Sequence, residues 1–369
     1  VVAAGPFAER PDGIPDGRLY ALPAPDPLPA TSETPLRGAA NQVGRLIAER
    51  GAAMATDART ALRASLTSLS SVLGVTVDGL EIGMAAGSRT LAAPHGEQAH
   101  AVLATAGALP AALLSNDALG DDALRWCTLS GGDPATRLDG LRELVLHPWA
   151  GLEGESQQLR LAALRAAIDR LERAWTAEAP AETTARAASV VALSGGAFAG
   201  LPPAASAVAV LDGARRPGVL SILHDHAGVL APLGALPVED DRQRLLTDLL
   251  PDALLPLGSA VVTGTLRTRK KPASMSIASV LGDQRLGLEP DGLQLVDLPP
   301  GVNAHLGIDP GEGSILGVEG RTLSMEVNGG LGGLFVDTRP IPLELPASGE
   351  ARRSMLAAWE SAVWLGSDR

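Results

Sequence analysis

Ser189-Val190-Val191-Ala192-Leu193-Ser194-Gly195-Gly196-Ala197-Phe198-Ala199-Gly200-Leu201-Pro202-Pro203, continuing through Ala204–Leu211, is the stretch that decides the fold. From Val190 to Leu211 it carries no charge, which is long enough to raise the question of a membrane span. Gly195, Gly196, Gly200, Pro202 and Pro203 would interrupt one continuous helix near its middle, so a bilayer helix is rejected. The reading that remains is a buried strand over 189–193, a Ser194-Gly195-Gly196 turn, and a buried Ala-rich helix ending near Leu211. A strand, a glycine turn and a helix in succession form the unit of an α/β sheet.

Outward from that unit the pattern holds. On the N-terminal side, Leu164, Ile168, Leu171 and Trp175 recur at helical spacing, with Arg165, Asp169, Arg170, Glu172 and Arg173 expected on the opposite, solvated face. Helical patterns fill much of 96–175. Val75–Met84 reads as a strand running through an Ala85–Ser88 turn into Arg89–Ala92, a hairpin. Leu62, Leu66, Leu69 and Leu73 predict a helix from about Asp57 to Gly74, and Thr34-Pro35 has the form of an earlier helix start. Residues 1–34 are Pro-rich and read as an extended segment. On the C-terminal side, Val219–Leu223 is a strand and Asp241–Leu250 a short helix. From about Leu255 short alternating runs are divided by Gly, Pro and Asp turns, so 255–346 is expected to be β-rich, with a closing helix within 347–369.

Composition bounds the class. The 369 residues are 46% hydrophobic and 20% charged, with only three Phe, one Tyr and five Trp, so the core is expected to be aliphatic. A net charge of −12 repels a phosphate backbone and argues against non-specific nucleic-acid binding. Cys127 is the single cysteine, so no internal disulfide forms, and a cytoplasmic setting is expected. No basic-plus-apolar leader opens the chain, and its start at Val1 rather than Met suggests that further sequence precedes it.

The candidate chemistry is concentrated at two strand ends. Ser194, Gly195, Gly196 and Ala197 stand where backbone could approach a nucleotide closely, although such glycines serve helix–strand packing equally well. Glu81-Ile82-Gly83-Met84-Ala85-Ala86-Gly87-Ser88 closes the other strand: Glu81 could hold Mg²⁺ through water, with Gly83, Gly87 and Ser88 facing a phosphate, or the stretch is an ordinary hairpin. His224-Asp225-His226 offers two imidazoles on one strand face without an evident third ligand. His95 and His100 do not fit an H-E-x-x-H spacing. Arg267, Arg269, Lys270 and Lys271 read as a solvated hairpin tip. No nucleophile elbow, P-loop or Gly-x-Gly-x-x-Gly fingerprint occurs.

Several stretches together resemble the glutamate-mutase-L family, relatives of the actin, sugar-kinase and heat-shock-chaperone ATPases. They are Val191–Ala199, Leu233-Gly234-Ala235-Leu236, Pro256-Leu257-Gly258, Asn328–Pro340, and the terminal Arg352-Arg353…Trp359 helix. The resemblance extends over about 95–369. It implies an α/β, actin-like (ribonuclease H-like) lobe over 35–254 followed by a β-rich barrel or sandwich module, ATP or ADP with Mg²⁺ as ligand, and a role in assembling or reactivating an adenosylcobalamin-dependent mutase. A protein partner follows from it, with a homo-oligomer as a further option and no membrane.

The family's Asp-x-Gly-Gly-Ala-Thr-Thr hairpin aligns with Glu81–Gly87. Met84 stands in place of a glycine, and Ala86 with Gly87 in place of two hydroxyls. Each lost charge-assisted contact costs about 1.5–3 kcal/mol, so poor or no ATP hydrolysis is expected. The rivals are an active ATPase or small-molecule kinase whose first phosphate hairpin lies upstream of Val1, and a non-catalytic structural subunit.

Overall fold

The computed structural model describes residues 2–4, 20–22, 58–94, 100–104, 107–131, 133–150, 153–180, 188–214, 216–264, 266, 272–311, 314–315, 318–319 and 322–365. The Thr34-Pro35 helix start, His95 and the basic run 267–271 lie outside them. At the N-terminus β1 (Val2–Ala4) pairs in parallel with β2 (Tyr20–Leu22). Next come α1 (Ala58–Leu73), then β3 (Val77–Ile82), β4 (Gly87–Ala92) and β5 (His100–Ala104), an antiparallel meander. Helices α2 (Asp117–Leu124), α3 (Pro134–Leu146) and α4 (Gly154–Glu178) lead to β6 (Val190–Ser194). Helix α5 (Pro203–Gly213) crosses over to β7 (Gly218–Asp225), and α6 (Leu230–Gly234) and α7 (Glu239–Ala253) follow.

The rest of the chain is mostly strand: β8 (Leu254–Val262), β9 (Ser274–Ser279), β10 (Gly282–Gly287), β11 (Leu293–Val296), β12 (Asn303–Asp309), the short pair β13 (Ser314–Ile315) and β14 (Val318–Glu319), β15 (Leu323–Asn328) and β16 (Leu334–Asp337). Helix α8 (Gly349–Ala362) closes it.

Eight strands form one mixed sheet in the order β11-β16-β8-β7-β6-β3-β4-β5. Strands β3, β6 and β7 run parallel; β4 opposes both its neighbours, and β8 opposes β7 but runs parallel to β16. A four-stranded antiparallel sheet, β10-β9-β12-β15, is separate. The described strands of the expected β-rich span 255–346 are divided among the main sheet, the four-stranded sheet and the small β13–β14 pair. Strands β8, β16 and β11 extend the main sheet, because their apolar residues are not confined to one face. Ala260, Val262 and Phe335 join the helix-covered core, while Val261, Leu334 and Val336 join the core beneath the second sheet. Continuous burial on both faces, against alternation on one, is what separates β8 (Leu257–Val262 buried throughout) from β12 (alternating).

The same two-sided burial runs through β6. Val191 and Leu193 face α2–α5 and α8, whereas Val190 and Ala192 face α1, α6 and α7. Leu62, Leu66 and Leu69 of α1 are all buried, at about 2 kcal/mol each. Among the described residues no helix is long and apolar enough to cross a membrane; Val190–Leu211 forms the strand, turn and helix that its glycines and prolines dictate.

Helix α4 departs from its sequence reading. The spacing of Arg165 puts it on a solvated face, yet it is 1% exposed. The helix is covered on nearly all sides between Leu159 and Ile168, so its polar stripe is buried and must be neutralised internally.

Candidate functional site

The register of β3 against β6 brings the two candidate stretches side by side: Glu81 pairs with Ser194, at the carboxyl ends of adjacent parallel strands. In open α/β sheets that end is where ligands bind. Glu81, Gly83, Gly87, Ser88, Ser194, Gly195, Gly196 and Ala197 thus converge, as the strand readings require.

Their hydrogen bonds are largely internal. Ser88 Oγ donates to Glu81 Oε2 at 3.1 Å, and the hairpin closes with Gly83 N–H on the Ala86 carbonyl at 2.8 Å. The hairpin tip is docked on the chain that follows β5. Gly107, Ala108 and Leu109 N–H groups donate to the carbonyls of Ala85, Gly83 and Met84. Met84 packs against the main core. One flank of the tip is therefore occupied by protein.

The second stretch is equally committed. Gly195 has φ +101°, and a Cβ there would stand 2.4 Å from the Ile82 carbonyl oxygen. Its lack of a side chain is required by the neighbouring strand. Ala197 N–H donates to that same carbonyl at 3.0 Å. Ser194 Oγ donates to Asp225 Oδ2 at 3.2 Å, and Asp225 in turn accepts from the Val229 and Leu230 amides at 2.8 and 3.1 Å, capping α6. Gly196 alone in the turn is exposed, and a Cβ at this position would meet nothing within 4 Å. The helix expected to follow the turn directly begins only at Pro203, because Gly200 and Pro202 delay it, so its N-terminal amides do not converge on the turn.

His224 and His226 do not form a metal pair. His224 is half-buried against the Phe198 ring, 6.2 Å between centroids, and burial lowers its pKa below the usual 6.5. His226 lies beyond the strand, with Nδ1 3.0 Å from the Ala253 carbonyl. No group of three or more metal-ligating side chains occurs among the described residues.

The densest chemistry lies away from the two strand ends at Glu81 and Ser194. Arg339 Nε and Nη2 grip both oxygens of Asp337 at 2.9 and 2.8 Å, and Nη1 reaches Asp212 Oδ1 at 2.6 Å. Trp359 stacks on the guanidinium at 4.5 Å. Asp212 Oδ2 lies 2.7 Å from Arg165 Nε, and Arg165 Nη1 pairs with Glu360, which also accepts from Thr128 at 2.9 Å. Burial works to lower the pKa of both arginines, but Asp212 and the other carboxylates hold each above its ordinary value. The network joins α4, α5, the end of β16 and α8. Asp337-Thr338-Arg339 is visible in sequence only as part of a longer glycine-rich run.

The chain matches no known protein-family model and no curated protein sequence.

Proposed function

We propose that the chain is a degenerate relative of the actin-like (ribonuclease H-like) ATPases, of the glutamate-mutase-L type, acting by protein contact and not by hydrolysis. One observation carries the fold part of this reading. The order β5-β4-β3-β6-β7, with a meander on one side of β3 and parallel crossovers on the other, is the order expected of such a lobe. On this reading Glu81 and Ser194, paired across β3 and β6, would correspond to the phosphate hairpin and the glycine turn.

A triphosphate with Mg²⁺ does not fit the residues present. The hairpin tip is docked on 107–109, Met84 packs against the core, the Ala197 amide is taken by Ile82, and the Ser194 hydroxyl is turned to Asp225. Gly196 is exposed, with nothing within 4 Å of a Cβ built there. The role that the resemblance implies is assistance to assembly or reactivation of an adenosylcobalamin-dependent mutase in the cytoplasm.

Calorimetric titration with ATP–Mg²⁺ should give no saturable heat, and the chain should co-purify with a mutase subunit expressed beside it. Steady hydrolysis abolished by Glu81→Ala would establish the competent ATPase instead. Absence of both nucleotide binding and mutase capture would leave the structural subunit.

A further inference from the structure

At the opposite end of the parallel strands, where α4 and α5 finish, the fold forms an open cleft of about 380 Å³. That lies within the size range of small-molecule sites. Trp126 and the fully buried Asp212 form part of its lining, Ile341, Leu343 and Leu345 supply an apolar wall, and Asp169, Glu172, Arg125, Arg173 and Arg216 complete the charged part.

The apolar wall is tied in place. Arg352 of α8 donates through Nε to the Arg125 carbonyl at 3.0 Å and through Nη1 to the Pro346 and Ala347 carbonyls at 3.0 and 3.2 Å. One guanidinium thus staples the segment after Leu345 to the segment that carries Arg125 and Trp126.

The charges are not equivalent. Every carboxylate in the lining already has a guanidinium partner: Glu172 pairs with Arg89 and Arg216, Asp212 with Arg165 and Arg339, Asp169 with Arg173. Arg125 is exposed and makes no ion pair among the described residues. Burial lowers the Arg352 pKa, and the nearby charges of Arg125 and Arg353 act the same way. Of the guanidiniums that line the cavity, Arg173 and Arg216 are held in ion pairs, whereas Arg125 stands within electrostatic reach of Asp169 without an ion pair among the described residues.

We infer that this cavity is a binding site for a small organic anion, a carboxylate, sulfonate or phosphate on a compact apolar body, whose charge is received by Arg125 and whose body lies against Ile341, Leu343, Leu345 and Trp126. The volume excludes a two-chain lipid, and the apolar wall disfavours a bare inorganic ion. The site is independent of the strand ends at Glu81 and Ser194.

Anilinonaphthalenesulfonate, which carries one sulfonate on a rigid apolar body, is the probe. Added to the full chain it should bind at one saturable site with a blue-shifted emission, and ATP–Mg²⁺ should not displace it. Arg125→Ala, an exposed substitution, should weaken binding at least about tenfold, the scale of a lost hydrogen bond to a charged group. Thr176→Trp, also exposed and on the cavity lining, should abolish it by filling the space. Arg285→Ala, on β10 in the separate sheet, should leave it unchanged. Non-saturable binding, or wild-type affinity in either Arg125→Ala or Thr176→Trp, would overturn the assignment.

Discussion

The two ends of the main sheet are built from different materials. At the carboxyl ends of β3, β6 and β7 the chain uses glycines and makes backbone contacts: the hairpin 83–86 docks on 107–109, and Gly195 sits against Ile82. The same end holds Gly258, whose Cβ would stand 2.1 Å from the Gly333 carbonyl oxygen. At the amino ends the chain uses arginines and carboxylates, five of them in one buried network beside a cavity. Glycine-rich turns at strand ends are commonly read as ligand cradles. In this protein the close approaches they permit are to other parts of the chain, while the cavity and Arg125 lie at the far end. Backbone permissiveness and binding capacity are separable.

The largest effect that tests this division is at Asp212. Asp212→Ala leaves Arg165 and Arg339 buried without their shared carboxylate, and removing one partner from a buried ion pair costs about 3–5 kcal/mol. Denaturant unfolding should show that loss. A cost under about 1 kcal/mol would mean that Asp337 and Glu360 suffice, and that the network is a set of independent pairs.

Next in size is the contrast between the two glycines of the turn. Gly195→Ala forces a side chain into φ +101° and against the Ile82 carbonyl, and should destabilise by about 1–3 kcal/mol. Gly196→Ala meets nothing within 4 Å and should stay within about 0.5 kcal/mol. If both alanines proved neutral, the turn would be free to move and the packing explanation of Gly195 would fail.

The glycine end is the legible one. Alternation and turn residues place β3, β4, β6 and β7 within a few residues, and helical spacing marks the Leu164–Trp175 stripe of α4, because strands and helices of this kind are dictated by local periodicity. The convergence of Glu81 with Ser194 follows once those strands are parallel neighbours. The charged end is illegible for a physical reason. Arg165 has the spacing of a surface residue, and nothing local reveals that α5 and α8 cover it. Its partners Asp212 and Glu360 lie far along the chain, so only tertiary packing brings them within reach. The division of the strands in 255–346 between the main sheet and the four-stranded sheet is hidden similarly: both β8 and β9 fall in stretches read as short alternating runs, and only burial on both faces of β8, against one face of β9, tells them apart.

The smallest effect probes the packing of β7 behind the glycine turn. Burial lowers the His224 pKa, with His226 acting the same way and Asp225 opposing. The folded state therefore takes up the proton at lower pH than the unfolded chain, whose histidine titrates near 6.5. Stability from this group is fully present above pH 6.5. It falls as pH drops from there toward the depressed folded value, with a slope of at most about 1.4 kcal/mol per pH unit. His224→Gln removes the titration, so the variant should lose less stability than the parent between pH 7.5 and 5, while Phe198 keeps a neutral neighbour. Parallel pH profiles for the two proteins would mean that the ring is solvated when folded. The strand end beside Ser194 would then be open to water and small ligands, and the contrast between the two ends of the sheet would narrow.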